Sequence, residues 1–349
     1  NATPDAISAS LQKLRTIGRQ LSRVKMPADS MLALLRPIVA MFSDEPPELV
    51  DRLVDEGLTS TDPWIVATLR MFRAGMAENN GDVVTMRTNA EAALTAFREI
   101  GERWGMASCL GVLAQLKAMD ADVDGAVDDL QEALELTRSI GGHDDAVMLN
   151  LRLASLRILT GDFEAARHCV AAMRELSEIG GNSYHAVFTH ILVAEIALAE
   201  GDFGEARRQR DAAKRFLSRL SEVHPAQGHI AAMVLGLSAK ISIADHDFAV
   251  ARDELAKALD YAIGTKDMPI TARVGVEIAT LATAEGKYLD AAEQLGAAAR
   301  LRGADDASEP DMARVTATLR AELGADGFAA AYAAGRALDP QAARARLKL

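Results

Sequence analysis

Several features that mark membrane proteins and disulfide-rich secreted proteins are scarce in this sequence. Aromatic residues make up only 4% of the 349 residues, and Cys109 and Cys169 are its two cysteines. A single pair cannot form a disulfide framework, so we expect two free, buried thiols in a reducing cytoplasm. No apolar run approaches the roughly 18 residues that a membrane span requires, because Glu195 interrupts even the apolar stretch 191–199. The sequence therefore predicts a cytoplasmic protein without membrane contact.

Basic charge and catalytic motifs are also scarce. The chain has 38 basic against 50 acidic residues, a net charge of −12, which disfavours direct binding of nucleic acid because phosphate contacts are electrostatic. It contains no phosphate-binding P-loop, no pair of Cys-x2-Cys motifs and no His-Glu-x2-His zinc motif. His185 and His190 are five residues apart, which separates them by about 140° around a helix and disfavours a shared metal. We predict a non-enzymatic protein with no cofactor and no metal.

What the sequence does contain is a repeated unit. A turn residue followed by an apolar side chain recurs at intervals of 40, 40, 40, 45 and 40 residues. The six turn residues are Asp82, Asp122, Asp162, Asp202, Asp247 and Lys287. Glycine precedes four of them, which is typical of a helix end, and aspartate is typical of a helix start. Each unit is therefore predicted to be a helix, a tight turn and a second helix, with a reciprocal capping box between Asp202 and Glu205.

Small residues stand at fixed distances from every turn. Alanine lies eight residues before each turn, and it lies four and eleven residues after each turn except where Met86 and Met173 replace it. The first of these sets is Ala74, Ala114, Ala154, Ala194, Ala239 and Ala279. Such positions let the two helices of a unit, and neighbouring units, approach closely. The pattern resembles the tetratricopeptide repeat, although the unit exceeds that family's usual 34 residues. We predict an all-α superhelical solenoid of antiparallel helical hairpins, with helices of roughly 16 residues.

The predicted organisation is one continuous, elongated solenoid with helical caps. Residues 1–65 are expected to form degenerate capping hairpins, including a helix carrying Leu11, Leu14, Ile17 and Leu21. Residues 66–303 are expected to form six repeats. Residues 304–349 are expected to form a C-terminal cap of three short helices at 309–323, 327–337 and 340–347, which a solenoid needs to cover its last apolar face. Because the chain starts at Asn1 rather than methionine, we interpret it as an excised fragment.

The concave face of such a superhelix is the candidate site. Seven residues before each turn the repeat register places Gly75, Gln115, Ser155, Glu195, Lys240 and Thr280 on that face. The expected groove residues are Gln115, Arg152, Ser155, His190, Glu195, Lys240, Arg273 and Glu277. Glu195 and Lys240 occupy equivalent positions in adjacent units, so they are predicted to be neighbours. We expect Lys240→Glu to weaken partner binding without unfolding the chain. The alternative is that these polar groups only solvate an exposed face.

A closer resemblance covers most of residues 62–349. The segments that carry it include Asp62-Pro63-Trp64, the stretch 101–107 (GERWGMA) and the stretch 291–298 (AAEQLGAA). They resemble the C-terminal region of actinobacterial transcriptional regulators of the AfsR-like, Streptomyces antibiotic regulatory protein type. In that family a DNA-binding domain and a nucleotide-binding switch precede helical repeats that act as the sensor arm. The resemblance implies that this chain would meet DNA and nucleotide only through domains absent from it.

The leading functional hypothesis is a sensor and protein-interaction domain of a transcriptional regulator. Its groove would bind a partner protein, a peptide or a small effector, and oligomerisation is compatible with this role. One alternative is a free-standing tetratricopeptide scaffold that holds a peptide or partner helix. Another is an accessory subunit whose small-molecule pocket lies between the repeats and the terminal cap. An apolar cavity near Trp104 or Tyr332 would favour the small molecule, and an open polar groove would favour a peptide or protein.

Overall fold

The computed structural model describes residues 27–43, 45–180, 184–220 and 226–349, together with Lys13, Thr16 and Gln20. This part of the chain contains sixteen α-helices and no β-strand, which confirms the predicted all-α class. The helices are α1 (Met31–Phe42), α2 (Pro47–Gly57), α3 (Pro63–Asn79), α4 (Val83–Ile100), α5 (Arg103–Met119), α6 (Val123–Ser139), α7 (His143–Leu159), α8 (Phe163–Gly180), α9 (His185–Glu200), α10 (Phe203–Leu217), α11 (Gln227–Ala244), α12 (Phe248–Gly264), α13 (Met268–Ala284), α14 (Tyr288–Arg302), α15 (Pro310–Arg336) and α16 (Pro340–Arg346). Consecutive helices pack in pairs from α3 and α4 to α13 and α14, as in a tetratricopeptide solenoid.

The turns inside the six units share one backbone geometry. The residue before each turn residue has a positive φ, both at the four glycines and at Ala121 (φ 65°) and His246 (φ 59°). All five turn aspartates then cap the second helix of their unit. Each accepts a hydrogen bond from the backbone N–H three residues later, at 2.9 to 3.3 Å. The turn chemistry inferred from the Gly-Asp pattern is therefore present in the fold, except that Lys287 provides no side-chain cap.

The predicted capping box is only half formed. The backbone N–H of Glu205 donates to the carboxylate of Asp202 at 2.9 Å, as expected. The backbone N–H of Asp202, however, donates to the carbonyl of Ala197 at 2.8 Å, because left-handed Gly201 directs it back to the end of α9. The Glu205 carboxylate accepts hydrogen bonds from Arg208 and Gln209 instead. The reciprocal half of the prediction is wrong.

The small-residue positions are the contact surfaces between helices. All eighteen residues in the three periodic sets are no more than 1% exposed. An alanine at these positions keeps neighbouring helix axes close, and Met86 and Met173 fill the two wider gaps. Cys109 and Cys169 are free thiols and are also buried, and burial raises the pKa of Cys109 to about 12.

The ends of the chain differ in how far they can be compared with the predictions. The predicted helix that carries Leu11, Leu14, Ile17 and Leu21 lies outside the described residues. At the other end, α15 contains a break at Gly324 (φ 73°, ψ 166°), between the two cap helices predicted there. The division into 1–65, 66–303 and 304–349 stays a prediction.

The C-terminal helices cover the last repeat. Val315 and Phe328 of α15 pack in one apolar cluster with Leu295 of α14. Leu347, directly after α16, packs with Ile278 of α13 in another. These contacts bury the face that the last unit would otherwise expose.

The superhelix turns far enough for its ends to meet, so the expected elongated body is not what the chain forms. Helix α13 contacts α3, and the Ala307 N–H donates to the Met119 carbonyl at 3.2 Å. Where Gly81 meets Leu301, a Cβ atom on Gly81 would lie 2.2 Å from the Leu301 carbonyl oxygen. The small rotation between units accumulates until the sixth unit contacts the first, and Ala307 just after it contacts the second. Within the described ranges no helix is both long and apolar enough to cross a bilayer.

Candidate functional site: a central cavity

The first helix of each unit faces a cavity of about 800 Å³ at the centre of the superhelix. Five of the six register positions predicted for the concave face line it: Gln115, Ser155, Glu195, Lys240 and Thr280. The linker 303–309, between α14 and α15, crosses the cavity and contributes Asp306, Ser308 and Glu309. The predicted groove is thus a half-open space between the repeats and the start of the C-terminal cap.

Most of the cavity wall is apolar. The large apolar side chains that contribute include Leu151, Ile191, Leu192, Met233, Ile243 and Ile270. They lie on α7, α9, α11 and α13. Neither Trp104 nor Tyr332 lines the cavity, so the apolar pocket considered for those two positions is not the site. A volume of this size with apolar walls and a few polar groups is typical of a small-molecule or peptide-segment site.

Six ionisable residues meet at one side of the cavity, and we call them the charge cluster. The cluster comprises Glu195, Lys240, Arg273, Glu277, Glu309 and Asp311. Lys240 Nζ lies 3.1 Å from an Asp311 carboxylate oxygen, and Arg273 Nη2 donates to Glu195 at 2.8 Å. Glu277, only 3% exposed, lies 3.9 Å from both Lys240 and Arg273. Glu309 lies 4.0 Å from Lys240.

Burial and mutual charge shift the pKa values of this cluster in opposite directions. Burial raises the pKa of Glu277 to about 7, even though Lys240 and Arg273 favour its ionised form. Burial likewise raises the pKa of Glu309. Burial alone would lower the pKa of Lys240, but Asp311, Glu309 and Glu277 raise it above its usual value. Lys240 and Arg314 lower the pKa of Asp311 to about 2 against the effect of burial. The cluster therefore holds more carboxylate than its cations can neutralise.

Gly236 makes room for the buried carboxylate. A Cβ atom at this position on α11 would lie 2.2 Å from Glu277 Oε2, so the Glu277 side chain packs directly against the glycine backbone. A larger residue would push Glu277 out of its position between α11 and α13. The glycine is needed here for space, since it lies within a regular helix.

The structure brings together most of the residues singled out from the sequence. Gln115, Arg152, Ser155, Glu195, Lys240 and Arg273 line the cavity, and Glu277 lies behind Lys240 and Arg273. His190 is elsewhere on α9, where its Nδ1 lies 2.6 Å from the side-chain oxygen of Gln209 on α10. The ion-pair partner of Glu195 is Arg273, two units further on, whereas its charge acts on Lys240 from a longer distance.

Three cluster and rim residues were not recognised from the sequence. Glu309, Asp311 and Arg314 belong to the linker and to the first turns of α15, outside the repeat register. They reach the cavity only because the superhelix brings its sixth unit back against the first. Lys240 is consequently 13% exposed and surrounded by carboxylates. We now expect Lys240→Glu to destabilise the fold, because it adds a fifth carboxylate to the cluster.

Comparisons with known proteins support the fold. No protein-family description matches the chain, and no curated protein matches it. The crystal structure of NprR in complex with its cognate peptide NprX has a TM-score of 0.50 and 16% identity, over 86% of this chain and 85% of that one. The apo form of the quorum sensor NprR from B. thuringiensis has a TM-score of 0.48 and 13% identity, over 97% of this chain and 92% of that one.

A third solved structure is longer than this chain. It is a signal transduction ATPase with numerous domains and a tetratricopeptide repeat sensor, from Pyrococcus horikoshii, with a TM-score of 0.48 and 12% identity. The match covers 94% of this chain and 49% of that protein, so this chain spans about half of its length. At these identities the likeness to NprR at a TM-score of 0.50 concerns the fold alone, a tetratricopeptide-type superhelix.

Proposed function

We propose that this chain is the sensor domain of a transcriptional regulator and that its effector binds in the central cavity. The observation that carries the proposal is the central cavity of about 800 Å³, with a mainly apolar wall and the charge cluster at one side. Polar residues that only kept an exposed face of the repeats in contact with water would not need to be buried. Buried ionisable groups are costly unless they are paired. NprR, whose fold is similar, is in complex with its cognate peptide, which supports an effector-binding role for this chain.

The closure of the superhelix gives the domain a way to report binding. The linker 303–309 contacts α5 through Ala307 and contributes Glu309 to the cavity. An effector that binds the closed form more tightly than an open form shifts the population toward the closed form. A domain attached to the chain would respond to that shift. Any DNA or nucleotide chemistry would belong to such a domain, as the AfsR-like resemblance implies.

A cavity-filling variant tests binding. Ser155 is exposed on the cavity side of α7, and its hydroxyl is bonded to the carbonyl four residues earlier in its helix. Thr88 on α4 makes the same kind of bond, is also exposed and lies away from the cavity. The protein is mixed with a defined library of short peptides and metabolites, and the compounds that stay with it through gel filtration are identified by mass spectrometry. We expect some compounds to be retained by the wild type and by Thr88→Trp but not by Ser155→Trp. Equal retention by all three would contradict the proposal.

The regulatory role has its own test. An antibody raised against this chain should detect, in lysate of the source cells, a polypeptide much heavier than the 37.2 kDa of the present sequence. A band near that mass would favour a free-standing scaffold. The volume and the mainly apolar wall of the cavity also keep the small-molecule-binding accessory subunit as the second candidate function.

A further inference from the structure

The charge cluster carries an excess of negative charge. It contains four carboxylates, Glu195, Glu277, Glu309 and Asp311, and two cations, Lys240 and Arg273. Each cation has one close partner, since Lys240 contacts Asp311 at 3.1 Å and Arg273 contacts Glu195 at 2.8 Å. Arg314 also contacts Asp311, but its side chain is 62% exposed and its charge is screened by solvent. Glu277 and Glu309 share these two cations without a close ion pair of their own. Lys240 and Arg273 both favour the ionised forms of the two glutamates, but no nitrogen of either cation lies nearer than 3.9 Å.

Atomic contacts agree with this charge count. Among the described residues, Glu277 Oε2 and Glu309 Oε1 are buried oxygens that accept no hydrogen bond. Their shortest ion-pair distances, 3.9 Å for Glu277 and 4.0 Å for Glu309, exceed hydrogen-bond length. Arg273 Nε also lacks an acceptor, but the charge of Arg273 is already balanced by Glu195. The cluster therefore lacks a positively charged hydrogen-bond donor close to Glu277 and Glu309.

Only a proton or an additional cation can supply this missing positive charge. Water can donate hydrogen bonds to the two carboxylates, but it does not neutralise buried charge, and an uncompensated buried ion costs several kcal/mol. The described residues include no group of three His, Cys, Asp or Glu side chains placed to hold a metal ion. A proton on Glu277 supplies this charge at low pH, because burial raises the pKa of Glu277 to about 7. Above that pH an organic cation entering from the cavity is the remaining solution, because Glu309 lines the cavity and Glu277 lies beside Lys240, which also lines it.

The rest of the cavity indicates what the cation is attached to. Its wall is mainly aliphatic, so the body of the ligand must be apolar to gain from burial. Arg152 also faces the cavity. Its guanidinium donates to the Gly111 carbonyl at 2.6 Å, and its other N–H groups can contact an acceptor atom on that body. The net charge of the chain, −12, favours the approach of a cation.

We propose that the central cavity binds a ligand with a protonated amine or guanidinium on an apolar body, and that Glu309, supported by Glu277, receives the cationic group. This inference rests on the proposed function, because it assigns a ligand chemistry to the same cavity. It also gives the linker 303–309 a role. A cation held by Glu309 ties the linker to the repeats, so ligand binding and closure of the superhelix reinforce each other.

Three probes with one apolar body and different head groups test the ligand chemistry on the unmodified protein. They are 4-phenylbutylamine, 4-phenylbutanol and 4-phenylbutyrate, titrated by calorimetry at about pH 8, with affinities compared on the usual logarithmic scale. We expect the amine to bind at least about tenfold more tightly than the alcohol, and the carboxylate to bind least. The Ala307 amide, bonded to the Met119 carbonyl, should exchange more slowly in the amine complex than in the free protein.

Two variants locate the cationic group. Glu309→Gln keeps the size of the side chain and removes its charge, so the amine should lose about tenfold in affinity while the alcohol is unaffected. Glu322→Gln, at an exposed position of the following helix α15, is the control and should change neither. A second pair of probes, acetyl-Leu-Leu-Lys-amide and its norleucine analogue, distinguishes the sources of the cation. Tighter binding of the lysine peptide than of 4-phenylbutylamine would assign the cation to a peptide side chain.

The contradicting outcomes separate the two proposals. Equal or tighter binding of the alcohol or the carboxylate would overturn the cationic ligand and leave cavity binding intact. Loss of amine affinity in Glu322→Gln as large as that in Glu309→Gln would also overturn it. Binding of none of the probes, combined with equal library retention by the wild type and Ser155→Trp, would overturn both the ligand chemistry and the proposed function.

Discussion

The residue before each helix cap has a left-handed backbone, which glycine adopts at little cost and alanine does not. Ala121 takes this conformation with φ 65°. We expect Ala121→Gly to raise the free energy of unfolding by about 0.5 to 1 kcal/mol, because relief of strain exceeds the added chain entropy of glycine in the unfolded state. Urea denaturation followed by circular dichroism measures the change.

The reverse substitution at an equivalent turn is the control. Gly161 has φ 75°, and a Cβ atom there would meet no other atom within 4 Å. Gly161→Ala should therefore destabilise through backbone strain alone, by about 1 kcal/mol. Destabilisation by Ala121→Gly would contradict the account of the turns.

Two buried glutamates should respond to neutralisation in opposite ways. The pKa of Glu277 is about 7 in the folded state against a reference value of 4.5, so the folded protein holds a proton that the unfolded chain releases between these values. The free energy of unfolding therefore falls as the pH rises from 4.5 to about 7, because the buried Glu277 becomes ionised. Above about pH 7 this loss of stability is complete. The charged groups that act on it are Lys240, Arg273, Glu309 and Asp311.

Glu277→Gln should therefore raise the free energy of unfolding near pH 8 by on the order of 2 kcal/mol, and the melting temperature with it. Near pH 4.5 the substitution should have little effect. Glu254→Gln is the matched control. Glu254 is also buried, but its carboxylate contacts Lys214, Ser238 and Ser242 at 2.6, 2.6 and 3.0 Å. Its neutralisation should lower the melting temperature near pH 8, because it breaks an ion pair. A stabilising effect of both variants, or of neither, would contradict the proposed charge imbalance.

At the scale of helices, the features that depend on the repeat register could be predicted from the sequence. The turns, the helix lengths of 15 to 18 residues and the buried alanines all follow from local periodicity. Cavity-facing positions such as Ser155 and Lys240 follow from the same register. The cavity contacts of Glu309 and Asp311 could not be predicted, because they depend on the accumulated rotation of six units. His190 was misplaced because sharing a helix with Glu195 does not mean sharing its face.

The docking of the C-terminal cap depends on a glycine contact between α14 and α15. A Cβ atom on Gly296 would lie 2.1 Å from the Tyr332 carbonyl oxygen, and one on Gly335 would lie 2.0 Å from the Glu293 carbonyl oxygen. We expect Gly296→Ala to destabilise by about 1 to 3 kcal/mol, since two helix backbones must move apart. Gly75→Ala is the control, because it meets no atom within 4 Å in α3 and should be neutral or slightly stabilising. Equal effects of the two variants in urea denaturation would contradict the contact.

For the whole molecule, the decisive feature is that the superhelix closes, since closure converts a groove into a cavity and brings Glu309 to Lys240. Gly81 and Gly161 have φ values of 67° and 75°, so Gly→Ala introduces similar strain at both. Only Gly81 touches the last repeat, where a Cβ atom would lie 2.2 Å from the Leu301 carbonyl oxygen. Gly81→Ala should therefore open the closure in addition to straining its turn.

Hydrogen exchange separates these two effects. The Ala307 amide is protected by the Met119 carbonyl only while the linker 303–309 is in place. We expect its exchange to accelerate by at least about tenfold in Gly81→Ala and to stay unchanged in Gly161→Ala, although both variants lose similar stability in their own turn. Amine affinity should fall when the closure opens, because Glu309 leaves the cavity with the linker. If the Ala307 amide exchanged equally in both variants, the ends of the superhelix would not depend on the Gly81 contact, and closure could not couple ligand binding to a neighbouring domain.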